Sequence, residues 1–484
     1  MQLSELFEGA SDQPVIDIRG LALDSREIEP GFLFAALPGA KRDGRDYIPE
    51  AIERGAVAVL TGPEGFADVP GVVQITDPDP RHRLACVASK YFGAQPQCIA
   101  AVTGTNGKTS VANFVYQIWT GLGRSAACIG TLGVESPNLN TGHGLTTPDS
   151  ITLQRTLSAL AASGTTHVVL EASSHGIIQC RLDGVAITIA AFTNLSREHL
   201  DYHDTIEQYF ASKARLFEKL LPPTGTAVIN LDGATGLEVA RIVRARNQTI
   251  FGIGSEANDI RICRIKAYDD GSMVVVNYLG ESHKIKLPLI GEFQALNAIL
   301  AAGIAIASGE EAAAVLGALA QLKGVPGRLE LAGVKAGGGR VFVDYAHTPD
   351  GLENILTAAR SFTSGSLAIV FGCGGDRDRG KRAEMGDLAQ RLADLVYITD
   401  DNPRSEDAAA IRREILAATP KAAEFDDRAE AVGAAINALG ADDTLLVTGK
   451  GHETGQIVGD RVLPFDDFEI IRKALELCEE GVGQ

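Results

Sequence analysis

Residues 101–110 read Ala-Val-Thr-Gly-Thr-Asn-Gly-Lys-Thr-Ser, and this stretch decides how the rest of the chain is interpreted. The apolar run before it predicts a buried β-strand over 98–103, and the apolar residues after it recur at helical spacing. A strand, a glycine-containing turn and a helix in this order are typical of a phosphate-binding loop. Gly104 and Gly107 permit the backbone amides to turn toward an anion, and the helix N-terminus adds partial positive charge.

Two side chains of this loop have a predicted chemical role. Lys108 supplies a mobile cation for phosphate, and Thr109 supplies a hydroxyl for Mg²⁺. The loop departs from the common pattern G-x-x-x-x-G-K-[ST], because Val102 occupies the place of the first glycine. The alternative is a glycine-rich turn with an exposed lysine, and the strand, the helix and Thr109 in register argue against it.

Composition excludes several classes of protein. A chain of 484 residues suggests about three domains. With 62 acidic and 44 basic residues, the formal charge of −18 disfavours a nucleic-acid or anionic-membrane partner, which would need a basic face. The seven cysteines are scattered and never in C-x-x-C spacing, which favours reduced thiols over disulfides or a zinc site. No signal segment or membrane span is evident, so we expect a cytoplasmic monomer that acts on small molecules.

Strand and helix patterns alternate throughout, which predicts an α/β fold in three domains. Residues 1–92 form a small N-terminal α/β domain, residues 93–327 a central phosphate-loop ATPase domain with a mostly parallel sheet, and residues 328–484 a C-terminal Rossmann-like domain. Within the last domain, strands are predicted over 340–344, 367–371, 395–399 and 444–447, and each is followed by a polar loop. Because parallel sheets bind ligands at the carboxyl ends of their strands, these four loops predict a site at one edge. Arg377 stands where the last glycine of G-x-G-x-x-G would be, which argues against a dinucleotide ligand.

The central domain carries further candidate residues. A strand over 166–171 ends in Glu171, where phosphate-loop enzymes place an acid that holds Mg²⁺ directly or through water. A strand over 185–192 leads into a polar stretch with His199 and His203, but Leu200 replaces the glutamate of a zinc protease and no third ligand is evident. A helix over 205–221 carries Lys213, which on its own would be interpreted as a solvated lysine.

Taken in order, the motifs resemble those of the Mur ligases, ATP-dependent amide-forming enzymes of peptidoglycan precursor synthesis. The resemblance covers the whole chain and rests on these segments: Thr103-Gly-Thr-Asn-Gly-Lys-Thr-Ser110, Glu171-Ala-Ser-Ser-His-Gly176, Thr193-Asn-Leu-Ser-Arg-Glu-His-Leu-Asp-Tyr-His203, Ser212-Lys-Ala-Arg215, Gly327-Arg328, Asp344-Tyr-Ala-His-Thr-Pro349 and Gly449-Lys-Gly-His-Glu453. It implies an N-terminal domain for a uridine nucleotide, a central domain for ATP and a C-terminal domain for an amino acid.

The resemblance also implies the site residues. ATP would contact Gly104, Thr105, Asn106, Gly107, Lys108, Thr109, Ser110, Asn297, Arg328 and Asp344. The UDP-sugar would contact Leu23, Ser25, Thr146, Thr147, Ser173, Gln179 and Arg181. Magnesium would be held by Thr109, Glu171, His199 and Lys213, the last as a carbamate. The catalytic residues would be Lys108, Lys213, His199 and Arg328.

Asp401-Asn-Pro-Arg404 looks like the signature of family members that add meso-2,6-diaminopimelate to UDP-N-acetylmuramoyl-L-alanyl-D-glutamate through an acyl phosphate. Its pocket would contain Arg377, Asp401, Asn402, Pro403, Arg404, Gly449 and Glu453. A planar guanidinium grips the distal carboxylate that distinguishes this amino acid from lysine.

Three alternatives stay open at this point. The same acceptor could receive L-lysine, or the chain could be a ligase similar to folylpolyglutamate synthase, although an N-terminal UDP-binding block would be unexpected there. From another class, a GTPase switch would need an N-K-x-D signature, which is absent, and the two D-x-x-G tetrads precede the phosphate loop.

Overall fold

The computed structural model describes residues 1–7, 15–39, 42–142, 144–197, 202–203, 205–268 and 270–482. These residues form an α/β protein with three main sheets and a separate two-stranded hairpin. The predicted fold class, with mostly parallel sheets, is confirmed. Among the described residues, no helix combines the length and the apolar composition needed to cross a bilayer.

The N-terminal sheet has four parallel strands in the order β1-β2-β3-β4. Its helices and strands, in chain order, are α1 (Leu3–Leu6), β1 (Gly20–Ala22), β2 (Phe32–Ala35), α2 (Ile48–Glu53), β3 (Ala58–Thr61), β4 (Val73–Thr76) and α3 (Pro80–Phe92). Short 3₁₀ turns cover Ser25–Glu27 and Gly44–Tyr47. Helix α3 begins at a proline and is capped by the Asp79 carboxylate, which accepts from the backbone amide of His82.

The central sheet has ten strands in the order β14-β13-β12-β11-β10-β9-β5-β8-β6-β7. Its elements are β5 (Cys98–Thr103), α4 (Lys108–Gly121), β6 (Ala126–Gly130), β7 (Gly133–Glu135), α5 (Ser150–Ala162), β8 (His167–Glu171), α6 (Ser174–Ile178), β9 (Ile189–Phe192), α7 (Ile206–Arg215), β10 (Thr226–Asn230), α8 (Ala234–Ala245), β11 (Thr249–Gly254), β12 (Ile260–Tyr268), β13 (Gly271–Tyr278), β14 (Glu281–Leu287), α9 (Glu292–Ala307) and α10 (Ala312–Ala318). A π-helical turn (Leu216–Leu220) extends α7, and a 3₁₀ turn (Leu319–Gln321) follows α10.

The C-terminal sheet has six strands in the order β15-β16-β20-β17-β18-β19, and only β15 runs antiparallel to its neighbour. Its elements are β15 (Glu330–Val334), β16 (Arg340–Asp344), α11 (Pro349–Arg360), β17 (Leu367–Phe371), α12 (Gly380–Leu392), β18 (Leu395–Ile398), α13 (Ala408–Leu416), β19 (Ala423–Glu424), α14 (Arg428–Ala438), β20 (Thr444–Thr448), the hairpin strands β21 (Gly455–Val458) and β22 (Arg461–Pro464), and α15 (Asp467–Val482).

Strand β5 shows why the central sheet is buried on both faces. Its alternate residues Ala100 and Val102 pack into the core against α4 and α9, whereas Ile99 and Ala101 pack into the core on the opposite face. Strands β8 and β9 flank β5 in parallel, with Glu171 beside Val102 and Phe192 beside Thr103. The carboxyl ends of three neighbouring strands therefore meet at the phosphate loop.

The strand predicted over 98–103 matches β5 to the residue. The strand predicted over 185–192 is shorter, since β9 begins at Ile189 and residues Leu182 and Val185 form a backbone-bonded turn before it. The helix predicted over 205–221 is α7 with its π-helical turn. The antiparallel strands β12 to β14, which extend the central sheet, were not predicted.

Candidate active site

The phosphate loop joins the end of β5 to the first residue of α4, Lys108. Gly104 and Gly107 have φ angles of 150° and 86°, in the region that favours glycine. A Cβ atom on Gly107 would lie 2.5 Å from Oδ1 of Asn297, and one on Gly104 would collide with the hydroxyl of Thr193. Both glycines are therefore required by backbone conformation and by the close approach of neighbouring side chains.

The segment after β9 holds this loop in shape. Asn194 accepts from the backbone amide of Thr105 through its carbonyl oxygen and from that of Asn106 through Oδ1, both at 2.9 Å. The hydroxyl of Thr193 donates to the carbonyl oxygen of Asn106 at 2.6 Å. The polar stretch after β9 thus has a role that the sequence did not assign, which is to fix the backbone that surrounds the anion.

Glu171 lies at the mouth of the phosphate loop, as predicted from its place at the end of β8. The Thr109 hydroxyl donates to its Oε2 at 2.9 Å, and the backbone amide of Thr131 donates to its Oε1 at 2.8 Å. The residue is 2% exposed, so these contacts fix the carboxylate in a buried position. A hydroxyl oxygen and a carboxylate oxygen side by side are the donors that Mg²⁺ prefers.

Two lysines converge on one carbonyl oxygen of the loop. Lys213 reaches it from α7 and donates to the carbonyl of Gly104 at 2.7 Å, and Lys108 donates to the same oxygen at 3.0 Å. Lys213 is 1% exposed and its Nζ lies 4.3 Å from the ring centre of Tyr209. It is therefore a buried lysine of the site and not a solvated one. Its carbamylation stays a prediction, and His199, the remaining predicted magnesium ligand, lies outside the described residues.

The C-terminal sheet closes the other side of the loop. Arg328 donates from Nη2 to the Thr109 hydroxyl at 3.0 Å, and its guanidinium carbon lies 4.6 Å from the ring centre of Tyr345. Asn106 donates from Nδ2 to the Asp350 carboxylate at 2.5 Å. Together these groups enclose a cavity of about 220 Å³ that is lined by the phosphate loop, Glu171, Lys213, Asn297, Arg328 and Asp344. The structure thus brings the predicted ATP residues and the described magnesium residues together.

Asp344 is a buried carboxyl at the edge of this cavity. It accepts from the backbone amides of Leu329 and Ala346, both at 2.6 Å. Burial raises the pKa of Asp344 to about 6, against the opposing effects of Arg328 and of these two amides. The carboxyl therefore holds the turn after β16 in place and fixes the backbone beside Arg328.

A second cavity of about 150 Å³ adjoins the first, because Tyr345 and His347 line both. Six of the seven residues predicted for the amino acid line it: Arg377, Asp401, Asn402, Arg404, Gly449 and Glu453. Pro403 is buried within the same loop but is not among the lining residues. The predicted amino-acid pocket is therefore assembled from the ends of β17, β18 and β20.

Arg404 is held by its backbone conformation and by hydrogen bonds to two carbonyls. Its φ angle is 52°, and its Nη1 donates to the carbonyl of Gly375 at 2.8 Å and to that of Asn402 at 3.4 Å. Burial lowers the pKa of Arg404, and the nearby Arg377 lowers it further. Two guanidinium groups close together in a half-buried pocket favour an anionic ligand.

Five of the residues predicted for the UDP-sugar form one hydrogen-bonded chain beside Glu171. Arg181 donates to the carbonyl of Thr147 at 2.6 Å and to Oε1 of Gln179 at 2.8 Å. The Thr147 hydroxyl donates to the carbonyl of Glu171 at 2.7 Å and accepts from the amide of Ser173 at 3.0 Å. Thr146 joins through its hydroxyl, 3.2 Å from that of Thr131.

The two other predicted UDP-sugar residues lie beside the N-terminal sheet, in the segment just after β1. Leu23 packs against the core of that sheet, and the hydroxyl of Ser25 donates to the Glu50 carboxylate at 2.8 Å.

Several residues at the two cavities were not assigned by the sequence. Arg197 and Asp378 face each other across the second cavity at 3.5 Å, and Lys381 donates to the carbonyl of His347 at 2.8 Å. His347, which lines both cavities, and Lys450, which lies beside the second, belong to motifs that were recognised in the sequence. Those motifs were the signal that could have identified the two residues. Thr131, which fixes Glu171, follows β6 with no local pattern to mark it. Within the described residues, no three His, Cys, Asp or Glu side chains cluster as a metal site.

The loop, the buried acid and the parallel sheet define an α/β phosphate-loop protein with a second, arginine-lined cavity beside its anion site. Comparisons with known proteins identify its family. The chain matches "Mur ligase family, catalytic domain" over residues 17–92, "Mur ligase middle domain" over 102–305 and "Mur ligase, glutamate ligase domain" over 327–451. The chain belongs to the Mur ligase family.

Named relatives match over nearly the whole length. The UDP-N-acetylmuramoyl-L-alanyl-D-glutamate–2,6-diaminopimelate ligase of Agrobacterium fabrum is 49% identical over 478 residues, which is 99% of this chain and 97% of that protein. The protein of the same name from Brucella melitensis is 48% identical and covers 98% of this chain and 96% of its own length. A solved structure of a ligase with this name has a TM-score of 0.68 and 34% identity, over 96% of this chain and 95% of that one.

Proposed function

We propose that this chain is an ATP-dependent ligase that joins meso-2,6-diaminopimelate to UDP-N-acetylmuramoyl-L-alanyl-D-glutamate, with release of ADP and phosphate. Relatives nearly half identical over the full length carry this name, and they argue against the folylpolyglutamate-synthase-like alternative. The observation that carries the proposal is that the phosphate-loop cavity and the arginine-lined second cavity share Tyr345 and His347. Activation of a carboxylate and its attack by an amine then take place in adjoining spaces.

The reaction needs a better leaving group than oxide. The acceptor carboxylate attacks the γ-phosphorus of ATP to form an acyl phosphate, and the amine of the incoming amino acid then displaces phosphate. Both steps bring anions together, so the protein's main task is to neutralise charge and align the reactants. Lys108 and Arg328 both line the phosphate-loop cavity and are placed to share the charge of the transferring phosphoryl group.

The phosphate-loop cavity fits a Mg²⁺ ion. The Thr109 hydroxyl and the Glu171 carboxylate lie 2.9 Å apart, both are hard oxygen donors, and the carboxylate is buried. A bound Mg²⁺ would neutralise the oxygens of the transferring phosphate. The backbone amide of Thr131 meanwhile keeps Glu171 turned toward the loop.

We propose that Lys213 acts as a carbamate. As an ammonium ion it donates to the carbonyl of Gly104 and cannot ligate a cation. When the ammonium loses a proton, the neutral amine adds CO₂ and releases a second proton, so that a carbamate replaces the positive charge and is an oxygen ligand suited to Mg²⁺. The 1% exposure of Lys213 and its place beside the loop support this role.

Arg404 gives the pocket its preference for diaminopimelate. That substrate carries a distal carboxylate, whereas lysine would leave the half-buried guanidinium without a carboxylate partner, at a cost of roughly 1–3 kcal/mol. The carboxylates of Asp401 and Glu453 line the same cavity and suit the ammonium group at the distal stereocentre.

Each of the three main sheets belongs to a domain that binds a different substrate. We propose a UDP-substrate domain over 1–92, an ATP domain over 93–327 and an amino-acid domain over 328–484. The hydrogen-bonded chain from Arg181 through Thr147 to the backbone of Glu171 lies within the ATP domain, and it supports placing part of the acceptor there, beside the phosphate loop. We also propose that the enzyme works in the cytoplasm as a monomer. Gel filtration with light scattering tests its oligomeric state.

A phosphate-release assay tests the function. The enzyme is given ATP, Mg²⁺ and the UDP-dipeptide acceptor, and then meso-diaminopimelate, L-lysine or neither. We expect release only when the acceptor and diaminopimelate are both present. A preference for L-lysine would refute the substrate assignment. Phosphate release that does not require the acceptor would refute the proposal that the enzyme is a ligase.

A further inference from the structure

Lys450 is a fully buried lysine beside the second cavity. It follows β20, and its ammonium group donates to Oδ1 of Asn402 at 3.0 Å and to the carbonyl of Gly455 at 2.8 Å. The residue is 0% exposed, and its Nζ lies 3.6 Å from Oδ1 of Asp401. A buried cation is costly unless it is paired and hydrogen-bonded, and here it is both.

These contacts join two loops that lie on different strands. Asp401 and Asn402 follow β18, Lys450 follows β20, and β17 separates the two strands in the sheet. No backbone ladder therefore connects β18 to β20, and the ammonium group of Lys450 directly connects their two loops. The same region is also joined by a backbone bridge between Arg404 and Val458 of the hairpin, so Lys450 adds a side-chain connection at Asn402 itself.

Lys450 also decides which way the amide of Asn402 points. A lysine ammonium and a backbone N–H only donate, so the atom that faces Lys450 and the amide of Ile457 must be the acceptor, Oδ1. The amide nitrogen of Asn402 is then turned to Glu453 and donates to its Oε2 at 3.0 Å. The orientation of a pocket carboxylate thus follows from a buried lysine two contacts away.

The charges reinforce this arrangement. Burial lowers the pKa of Lys450 and Arg428 lowers it too, while the carboxylates of Asp401, Glu453 and Asp467 act in the opposite direction. A neutral side chain at 450 would leave the buried carboxylate of Asp401 without its nearby cation.

We propose that Lys450 is a positioning residue for the incoming amino acid: it joins the loops after β18 and β20 and, through Asn402, holds the Glu453 carboxylate toward the distal ammonium group. This inference rests on the proposed function, since it takes a diamino acid as the occupant of the second cavity. Lys450 lines neither cavity, so it acts through other residues and does not touch substrate.

The test compares Lys450→Met with Lys473→Met, a control at an exposed lysine on α15 whose side chain is 64% exposed. Initial rates with purified full-length enzyme give separate KM values for diaminopimelate and for ATP. For Lys450→Met we expect the KM for diaminopimelate to rise about tenfold or more and the KM for ATP to change less than twofold. The control should leave both values unchanged. Equal changes in both KM values, or no change, would overturn the inference.

A double-mutant cycle adds a measurement that loss of general stability would not mimic. In a Glu453→Gln background, Lys450→Met should raise the KM for diaminopimelate by less than threefold, because the carboxylate that Lys450 positions is already gone. Full additivity of the two changes would contradict the proposed route through Asn402.

If Lys450→Met does not fold, Asn402→Asp takes its place. This change keeps an acceptor for Lys450 and Ile457 but removes the donor to Glu453, so the KM for diaminopimelate should still rise about tenfold, and an unchanged value would overturn the inference. Failure of the proposed function would give a different result from failure of this inference. In that case the wild-type enzyme itself would release no phosphate in response to diaminopimelate.

Discussion

Replacement of Arg404 by methionine isolates the group that selects the amino acid. Methionine retains a long, unbranched side chain but removes the guanidinium. Within the described residues, Nη1 of Arg404 donates to the carbonyls of Gly375 and Asn402, while Nε and Nη2 have no protein partner. Those two nitrogens form one edge of the guanidinium fork, which is the edge that matches a carboxylate in two parallel hydrogen bonds.

The expected magnitude follows from these contacts. Each hydrogen bond to a charged group contributes about 1.5–3 kcal/mol, and the two together suggest a loss of about 3 kcal/mol or more. Since about 1.4 kcal/mol corresponds to a factor of ten, kcat/KM for diaminopimelate should fall about 100-fold or more. Lysine has no distal carboxylate, so its kcat/KM should not fall and the selectivity between the two amino acids should collapse.

The assay is phosphate release at saturating ATP and acceptor, with each amino acid varied in turn. Arg461→Met is the matched control, because Arg461 is exposed on β22 of the neighbouring hairpin and lines neither cavity. It should leave both kcat/KM values unchanged. A loss below threefold for diaminopimelate in Arg404→Met, or an equal loss for lysine, would refute the assignment of Arg404 to the distal carboxylate.

Three further predictions concern catalysis and stability. Lys213→Ala should depress ligase activity to a level that added bicarbonate does not restore, and near-normal turnover would contradict the carbamate proposal. Asp467→Asn should lower the free energy of unfolding in urea by about 3–5 kcal/mol, because it leaves the 0% exposed Arg428, 2.8 Å away, without its carboxylate, and an unchanged midpoint would contradict this. Burial raises the pKa of Asp344 to about 6 from an ordinary 3.8, so the folded protein binds this proton more tightly than the unfolded chain and gains stability as pH falls from about 6 to about 4. Relative to Asp344→Asn, wild-type stability should therefore rise by about 2 kcal/mol over that interval, and urea titrations that show no such difference would refute the assigned pKa.

Local patterns made the phosphate loop predictable. The strand over 98–103 is apolar and bounded by a glycine turn, so β5 matches its prediction to the residue. Glu171 was found because a parallel strand next to β5 must end at the same edge. The four polar loops after β16, β17, β18 and β20 meet for the same reason, and they do line one cavity.

Tertiary packing decided the features that the sequence did not reveal. Thr131 fixes Glu171 only because β6 lies beside β8, and a lone threonine in a loop carries no sign of that. Lys450 is buried because two loops close over it, whereas a lysine between glycines in a sequence suggests an exposed turn. The sharing of Tyr345 and His347 by the two cavities depends on how the central and C-terminal sheets pack.

We propose that the γ-phosphoryl group of ATP passes onto the acceptor carboxylate before the amide forms. The most direct test uses UDP-N-acetylmuramoyl-L-alanyl-D-glutamate with ¹⁸O in the glutamyl carboxylates, together with ATP and meso-diaminopimelate, and measures the isotope in the phosphate by mass spectrometry. We expect one ¹⁸O atom in each phosphate released, in step with amide formation. Phosphate that carries no ¹⁸O while the amide forms would contradict this proposal.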